Sequence, residues 1–255
     1  MKKIRIGIFG FGKAGKVVVN EFLNEGLFTV VWVVRKGQGD HHKYASRRLG
    51  YEFDAGEIFS AEDISENFFL ENPVDALIDF SDSAGIYLYE KAAEAGIAII
   101  SAISKYEQKE LDLLKSLAEH TPVLYSPNIT LGINVVMVAA QIMQKITPHA
   151  DIEIVEEHFK GKAEVSGTAK KIASVLNLNV EEHLNSIRVG GIVGRHEIIF
   201  GMPNQTIRLS HESINRAAFG QGAIFATKFL IGKPPGTYTM ETIIAEMFRQ
   251  NIPVY

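Results

Sequence analysis

The strongest constraint on the fold is a glycine-rich turn, Gly10-Phe11-Gly12-Lys13-Ala14-Gly15. An apolar stretch at 4–9 precedes it and predicts a strand, and a helix to about residue 25 is predicted to follow. Between a strand and a helix, this glycine spacing is typical of dinucleotide-binding folds, because it allows a tight turn, close approach of a pyrophosphate and close helix–strand packing. The turn therefore predicts a bound dinucleotide, and a purely structural turn is the alternative.

Strands and helices alternate through the first half of the chain. Further strands are predicted at 29–34, 76–80, 97–100 and 122–125, with helices at 85–95 and 106–119. Such alternation indicates a parallel sheet covered on both faces. From about residue 151 longer alternating strands follow (151–157, 186–191, 197–200, 205–212), with helices at 168–176, 219–231 and 240–247. We predict an α/β protein with two domains. One is a Rossmann-type cofactor domain (1–128 plus 217–255), and the other is an α+β mixed-sheet domain (129–216).

Composition excludes several classes of function. The net charge of −4 argues against general nucleic-acid or membrane-surface binding. No apolar run approaches the roughly 20 residues that span a bilayer, and the start does not resemble a secretory signal. The chain has no cysteine, which excludes disulfides, thiolate metal sites and a cysteine nucleophile. We expect a soluble cytoplasmic protein and assign no metal site.

The end of the second predicted strand indicates which dinucleotide binds. An acidic residue there would bind the ribose hydroxyls of NAD, but this chain has Arg35 and Lys36, with no acid before Asp40. Two cations suit the 2′-phosphate of NADP. We therefore favour NADPH, with NADH tolerated; a solvated basic turn is the alternative.

A run in the second half carries candidate proton donors and an anion site. His158 and Lys162 can exchange protons, and Ser166-Gly167-Thr168 is a capping sequence whose amides and hydroxyls could hold a carboxylate. A core histidine, a surface lysine and a cap without ligand are the alternatives. Hydride and proton delivered together would reduce a C=C or C=N bond of a small carboxylate.

Four ordered segments resemble the dihydrodipicolinate reductase family of the diaminopimelate–lysine pathway. They are 126–134 (SPNITLGIN), 151–169 (including DIEIVEEH, Lys162 and SGTA), 188–200 (including GIVGRH) and 210–223 (including SHESINR). The resemblance covers nearly the whole chain. It implies reduction of 4-hydroxy-tetrahydrodipicolinate with NAD(P)H, with loss of the 4-hydroxyl as water. It also implies a homo-oligomer, a tetramer or a dimer, assembled through the sheet of the substrate domain.

The resemblance also implies roles for individual residues. His158 would be the proton donor or acceptor, Lys162 a second donor, and Ser166, Gly167 and Thr168 the carboxylate site, with Phe159 at a substrate-binding position. The implied cofactor-binding set is Gly10, Phe11, Gly12, Lys13, Ala14, Gly15, Arg35, Lys36, Phe80, Ser101, Ala102, Ile103, Ser126, Pro127, Asn128 and Ile129.

Three positions depart from the family pattern. Phe159 replaces a second histidine, Ser101-Ala102-Ile103-Ser104 replaces a Gly-Thr-Thr-Gly turn, and Glu164-Val165 replaces a longer Asp-Ala-Pro segment. These changes leave two alternatives to the implied activity. One is a related reductase for another cyclic imine or unsaturated amino acid, and the other is a catalytically silent NADP-binding protein.

Overall fold

A computed structural model describes residues 2–40 and 43–253, so residues 1, 254 and 255 at the ends of the predicted cofactor domain lie outside it. The strands are β1 (Ile4–Phe9), β2 (Phe28–Arg35), β3 (Glu57–Ser60), β4 (Ala76–Asp79), β5 (Ala98–Ser101), β6 (Pro122–Tyr125), β7 (Asp151–His158), β8 (Leu184–Arg188), β9 (Arg195–Met202), β10 (Gln205–Glu212) and β11 (Gly236–Tyr238). The helices are α1 (Lys13–Asn24), α2 (Ala45–Arg48), α3 (Phe68–Glu71), α4 (Glu90–Glu94), α5 (Gln108–Leu117), α6 (Leu131–Ile146), α7 (Gly167–Val175), α8 (Val180–His183), α9 (Ala217–Leu230) and α10 (Met240–Asn251).

The chain divides into two compact units. The first extends to Ile129 and takes in Phe219–Met240, and the second comprises Thr130–Ala218 and the segment from Glu241 onward. In the described residues, no helix is long and apolar enough to cross a membrane.

The first unit is built on a seven-stranded sheet in the order β11-β6-β5-β4-β1-β2-β3, with every pairing parallel. All four residues of β4 and of β5 are buried, as expected for central strands covered on both faces. The order reverses direction at β1 and β4, which leaves a crevice at the carboxyl ends of these strands. The predicted Rossmann-type sheet is confirmed.

The second unit is built on a four-stranded mixed sheet in the order β10-β9-β7-β8. Strand β7 pairs parallel with β8 and antiparallel with β9, and β9 pairs antiparallel with β10. Every second residue of β7 is buried. Ile152 and Ile154 pack with Ile198 and Phe200 of β9 against α6 and α7. Glu156 and His158 continue the same face, because strand side chains alternate sides. The predicted mixed-sheet domain is confirmed.

Several elements differ from the predicted ones. Helix α6, the short strands β3 and β11 and the short helices α2, α3 and α8 were not predicted. The helix predicted at 85–95 is a 3₁₀ segment, Ser83–Leu88, followed by the short α4. The sequence of α6, LGINVVMVAAQIMQKI, is rich in β-branched residues and nearly all apolar, so its periodicity does not separate a buried helix from a strand.

Candidate active site

The glycine turn after β1 has the geometry of a dinucleotide cradle. Gly10 has a φ of +101°, and a Cβ there would lie 2.6 Å from the Phe80 carbonyl oxygen. A Cβ on Gly15 would lie 2.1 Å from the Gly10 carbonyl oxygen. Gly12 caps α1, and a Cβ built there meets no described atom within 4 Å. Two of the glycines are therefore required by packing, while Gly12 leaves open space at the helix N-terminus for a phosphate.

The other residues of the turn divide between the core and the surface. Phe11 is buried, and the Lys16 ammonium lies 5.4 Å from the centre of its ring. Lys13 is exposed at the start of α1, and Ala14 is half-buried. Phe11, Lys13 and Ala14, which were predicted to bind the cofactor, lie together at the turn between β1 and α1.

Arg35 ends β2 and belongs to a cluster of cations around one buried carboxylate. Asp40 forms an ion pair with Arg35, and its Oδ1 lies 3.3 Å from Arg48 Nε and 3.9 Å from Lys43 Nζ. Lys36 pairs separately with Asp82, whose pKa it lowers. Sequence reasoning missed Arg48 and Lys43, because the fold of the loop after β2, not residue spacing, brings them to Asp40.

The segments after β4, β5 and β6 meet through backbone hydrogen bonds. The Phe80 amide donates to the Phe9 carbonyl (2.8 Å), the Ala102 amide to the Asp79 carbonyl (3.0 Å), and the Ser126 amide to the Ser101 carbonyl (3.0 Å). Among the predicted cofactor residues of these segments, Ser101, Ile103, Ser126 and Ile129 are buried, Ala102 and Asn128 are half-buried, and Pro127 is exposed. They all follow strands at the carboxyl edge of the sheet, where ligands bind in open α/β folds.

In the second unit, a buried carboxylate organises the predicted proton donor. Glu156 is fully buried and hydrogen-bonded to Nδ1 of His158, two residues along β7. Arg188 approaches both Glu156 oxygens, with Nη1 2.9 Å from Oε2 and Nη2 2.6 Å from Oε1. The Ser186 hydroxyl (2.7 Å) and the Ser166 amide (3.2 Å) donate to Oε1 as well.

These contacts set the ionisation of Glu156 and the tautomer of His158. Burial alone would raise the pKa of Glu156, but the hydrogen bonds, chiefly from Arg188, outweigh it and lower the pKa to about 2. Glu156 is therefore a carboxylate at neutral pH and can only accept, so His158 donates from Nδ1. The other ring nitrogen, Nε2, carries the lone pair in this tautomer. A Cβ at Gly194 would lie 3.0 Å from this atom, so glycine keeps the space beside it clear.

His196, which sequence reasoning missed, holds the start of α7. Its Nε2 lies 2.9 Å from the Ser166 hydroxyl, and its ring centre lies 5.4 Å from that of His158 in an edge-to-face arrangement. Burial, reinforced by His158, lowers the pKa of His196 to about 4, so the ring is neutral at pH 7. Ser166 also caps α7 by accepting from the Ala169 amide (3.4 Å), which places exposed Gly167 and half-buried Thr168 in its first turn.

The remaining predicted residues lie on the loop between β7 and α7. The Lys162 and Glu164 carbonyls accept hydrogen bonds from Nε (2.9 Å) and Nη2 (3.0 Å) of Arg188, the same side chain that binds Glu156. Lys162 is half-buried, whereas Phe159 is 43% exposed. One guanidinium thus fixes both the buried carboxylate and the loop that carries Lys162. Glu156 and Arg188 were not predicted from the sequence. Only Glu156 carried a signal that could have revealed it, because a residue two positions from His158 in a strand lies on the same face.

Two family models match the chain. The C-terminal dihydrodipicolinate reductase model covers residues 132–244, and the N-terminal model covers residues 4–129. The 4-hydroxy-tetrahydrodipicolinate reductase of Caldanaerobacter subterraneus subsp. tengcongensis is 32% identical over 94% of this chain and 98% of its own. The enzyme of the same name from Thermosipho africanus is 30% identical over 96% of this chain and 100% of its own.

A solved structure shares the fold. Dipicolinate-bound dihydrodipicolinate reductase from Paenisporosarcina sp. TG-14 superposes with a TM-score of 0.78 at 22% identity, over 94% of this chain and 99% of that one. The two family models together cover residues 4–129 and 132–244, and both relatives are matched over nearly their whole length. The chain belongs to the dihydrodipicolinate reductase family.

Proposed function

We propose that the protein reduces 4-hydroxy-tetrahydrodipicolinate to tetrahydrodipicolinate with NAD(P)H; its relatives are named as reductases of that substrate. The observation that carries the proposal is the second unit's polar cluster. There a buried carboxylate binds Nδ1 of His158 and leaves Nε2 for the substrate, and the Ser166 amide donates to the same carboxylate. A silent cofactor-binding protein would have no use for this arrangement.

His158 is the residue that moves a proton in this proposal. Loss of the 4-hydroxyl as water needs a proton on the leaving oxygen and releases one from the neighbouring carbon. Reduction of the double bond that forms then needs one hydride and one proton. With Nδ1 bound to the Glu156 carboxylate, Nε2 is the atom that gives or takes the proton. Lys162, on the loop held by Arg188, is the second proton donor.

The start of α7 is the proposed carboxylate site. The first amides of a helix have no carbonyl partner within the helix, and the helix dipole favours an anion there. Ser166 stands at this point with its hydroxyl held by His196, and Gly167 and Thr168 follow. A small dicarboxylate would bind here through amides and hydroxyls, with His158 on the same side of the sheet.

The first unit fits a nicotinamide cofactor, which when bound would supply the hydride. The open space at Gly12 suits the pyrophosphate, and the Arg35 and Arg48 guanidinium groups lie at the end of β2 where the adenosine ribose is recognised. Three cations surround the single Asp40 charge, which leaves positive charge for a 2′-phosphate and supports NADPH as the preferred cofactor.

Cofactor preference can be tested by binding alone. Arg48→Gln should weaken the binding of NADPH by about tenfold or more, since a hydrogen bond to a charged group contributes about 1.5–3 kcal/mol. The dissociation constant of NADH should stay within twofold of the wild-type value. The matched control is Arg47→Gln, because Arg47 pairs with Asp54. Equal loss of both cofactors, or no loss of either, would refute the role of this cluster in selecting NADPH.

The activity itself is tested with freshly generated 4-hydroxy-tetrahydrodipicolinate and NADPH or NADH, following cofactor absorbance. His158→Ala should lower turnover by about 10²–10⁴, as expected for loss of a general acid or base. The control is His120→Ala, an exposed histidine of the first unit. No turnover above background by the wild-type protein at saturating substrate would refute the proposal.

Phe159 favours a second candidate, a reductase for a different cyclic imine or unsaturated amino acid. The family pattern has a histidine here, and the exposed Phe159 ring offers an apolar contact in its place. If the dicarboxylate is the natural substrate, Phe159→His should improve its kcat/KM by about tenfold or more, since a hydrogen bond to a charged group contributes about 1.5–3 kcal/mol. A panel of imino acids on which the wild-type protein prefers a monocarboxylate would establish the second candidate instead.

We also propose that the protein is a homo-oligomer assembled through the mixed sheet. The face opposite α6 and α7 carries an ion-pair row in which Arg195 contacts Glu157 and Glu197, and Arg208 contacts Glu197. Beside this row, Ile187 and Val189 are 43% and 50% exposed. Apolar residues flanked by charges on a flat sheet suit a second copy of the same surface.

A further inference from the structure

A chain of buried hydroxyl groups connects two of the segments assigned above to the cofactor. Asp79, at the end of β4, accepts from the Tyr89 hydroxyl at 3.0 Å. Tyr89 and Tyr106 hydroxyls lie 3.2 Å apart, and Tyr106 lies 3.0 Å from the Ser101 hydroxyl at the end of β5. Asp79, Tyr89 and Ser101 are fully buried. None of these contacts involves a proton that the proposed reaction uses.

The network joins the segments that follow β4 and β5. On one side, the other Asp79 oxygen accepts from the Ser81 amide (2.8 Å) and hydroxyl (2.6 Å). The Phe80 carbonyl between Asp79 and Ser81 is the group that Gly10 approaches. On the other side, Ser101 begins the turn Ser101-Ala102-Ile103-Ser104 that replaces the family's Gly-Thr-Thr-Gly. Asp79 therefore links the turn under the pyrophosphate to the turn after β5.

The carboxylate gives the chain of hydroxyls one direction. An ionised Asp79 can only accept, so Tyr89 must donate to it, Tyr106 to Tyr89, and Ser101 to Tyr106. Burial raises the pKa of Asp79 to about 6, against the hydrogen bonds from Ser81 and Tyr89, so the charge is present at neutral pH. Buried polar groups left unpaired are costly, which makes a fully satisfied network rigid. The Tyr89 ring is itself fixed, with its centre 5.4 Å from that of Phe9.

We propose that Asp79, Tyr89 and Tyr106 are positioning residues that hold the Ser101–Ile103 turn in place for the nicotinamide half of the cofactor. In a sheet of this order the adenosine half lies beyond β2, so the other half extends past β1 toward β4 and β5. The serine in place of the family's glycine supplies the hydroxyl on which this anchor depends. The inference rests on the proposed function in that the ligand is a nicotinamide dinucleotide.

The test is the binding of whole and truncated cofactor to Tyr106→Phe, which removes the middle hydroxyl and keeps the ring. The dissociation constant of NADPH should rise about three- to tenfold, the effect of one ordinary hydrogen bond. That of 2′,5′-ADP, which lacks the nicotinamide half, should stay within twofold. In turnover, KM for NADPH should rise more than kcat falls. Ser101→Ala should reproduce the pattern from the other end of the contact.

The matched control is Tyr87→Phe, since Tyr87 donates to Glu110 (2.7 Å) from the same segment as Tyr89 but outside the network. Tyr87→Phe should change the dissociation constant of neither NADPH nor 2′,5′-ADP. If Tyr106→Phe weakened the binding of NADPH and of 2′,5′-ADP equally, the network would have only a general structural role. Unchanged NADPH affinity in both Tyr106→Phe and Ser101→Ala would overturn the inference. Failure of the wild-type protein to bind NADPH or NADH would instead count against the proposed function.

Discussion

Glu156 illustrates how a single buried charge can organise a site. Desolvating a carboxylate costs several kcal/mol unless it is paired and hydrogen-bonded. Here Arg188, Ser186, His158 and the Ser166 amide all donate to it. The donors come from three parts of the second unit: Arg188 and Ser186 from β8, His158 from β7, and Ser166 from the start of α7. The requirement to satisfy one carboxylate therefore brings the proton donor and the helix start together.

The first residue-scale prediction concerns Glu156→Gln and the pH dependence of stability. The folded-state pKa of Glu156, about 2, lies below the ordinary value of 4.5. Its contribution to the free energy of unfolding is therefore complete above pH 4.5 and is lost as pH falls toward 2. The free energy of unfolding of the variant should be lower than that of the wild type by up to about 3 kcal/mol near neutral pH. This difference should shrink steadily below pH 4.5. Urea unfolding from pH 3 to 7 measures it.

A second carboxylate on the same strand provides the control. Glu153 lies on β7 with its side chain half-exposed and hydrogen-bonded to Asn185. Glu153→Gln should give a difference in stability of less than about 1 kcal/mol, as is usual for surface polar contacts. A Glu156→Gln difference that does not change between pH 3 and 7 would show that Glu156 is not the ionised centre of this cluster.

The second residue-scale prediction uses Gly194, whose backbone closely approaches His158. An added methyl group would lie 3.0 Å from Nε2, tighter than ordinary contact, so the imidazole must shift or be shielded. Gly194→Ala should lower kcat by up to about a hundredfold with little loss of stability, since small displacements at a reacting group can cost that much. The control is Gly191→Ala, where the new methyl meets no described atom within 4 Å. Equal activity of the two variants would contradict the assignment of Nε2 as the reacting nitrogen.

At this scale the sequence predicts the site residues that lie in one local run and misses those that come from other strands. His158 and Ser166 are in one local run, so their chemistry can be read directly. Arg188 and His196 reach Glu156 through strand register, in which Glu156 pairs with Ser186 on β8 and with His196 on β9. Register depends on contacts between distant segments, so no spacing in the sequence reveals it.

At the scale of elements, Ser166 both caps helix α7 and belongs to the proposed carboxylate site. Ser166 caps the helix through the Ala169 amide and also contacts His196. Ser166→Ala should destabilise the protein by about 1 kcal/mol, typical for loss of a cap, and should raise KM for the dicarboxylate more than it lowers kcat. Thermal unfolding and steady-state kinetics measure the two effects. Ser174→Ala, at an exposed position of the same helix, is the control and should alter neither.

The elements that could be predicted are those whose pattern is local. Strand β1 followed by the glycine turn and α1 was predicted within one or two residues, because the strand pattern and the glycines agree. Helix α6 was not, because its apolar residues run almost all round it and Thr130 makes no side-chain cap contact to mark its start. Its identity as a helix is decided by the second unit's core, where Ile133, Met137 and Ala140 pack.

At the scale of the whole molecule, the two units carry complementary parts of the chemistry. The first unit holds a glycine turn with open space at a helix N-terminus and cations at the end of β2, and the second holds the proposed proton donor and the proposed carboxylate site. Each of these parts alone is compatible with many functions, since folds of both types support varied chemistries. Their presence in one chain, matched over its length by reductases, is what restricts the function to reduction of a small carboxylate.

The last prediction concerns assembly of the whole molecule through the exposed face of the mixed sheet. Ile187 lies on β8, at the edge of the sheet, and its exposed side chain points away from α6 and α7. A lysine here would place a charge at the centre of a self-complementary contact, where an unpaired buried charge is strongly unfavourable. Ile187→Lys should therefore lower the mass measured by light scattering to that of one chain. Leu70→Lys, at a position 72% exposed on α3 of the first unit, should keep the wild-type mass. A monomeric wild-type protein, or an unchanged mass for Ile187→Lys, would contradict assembly through this face.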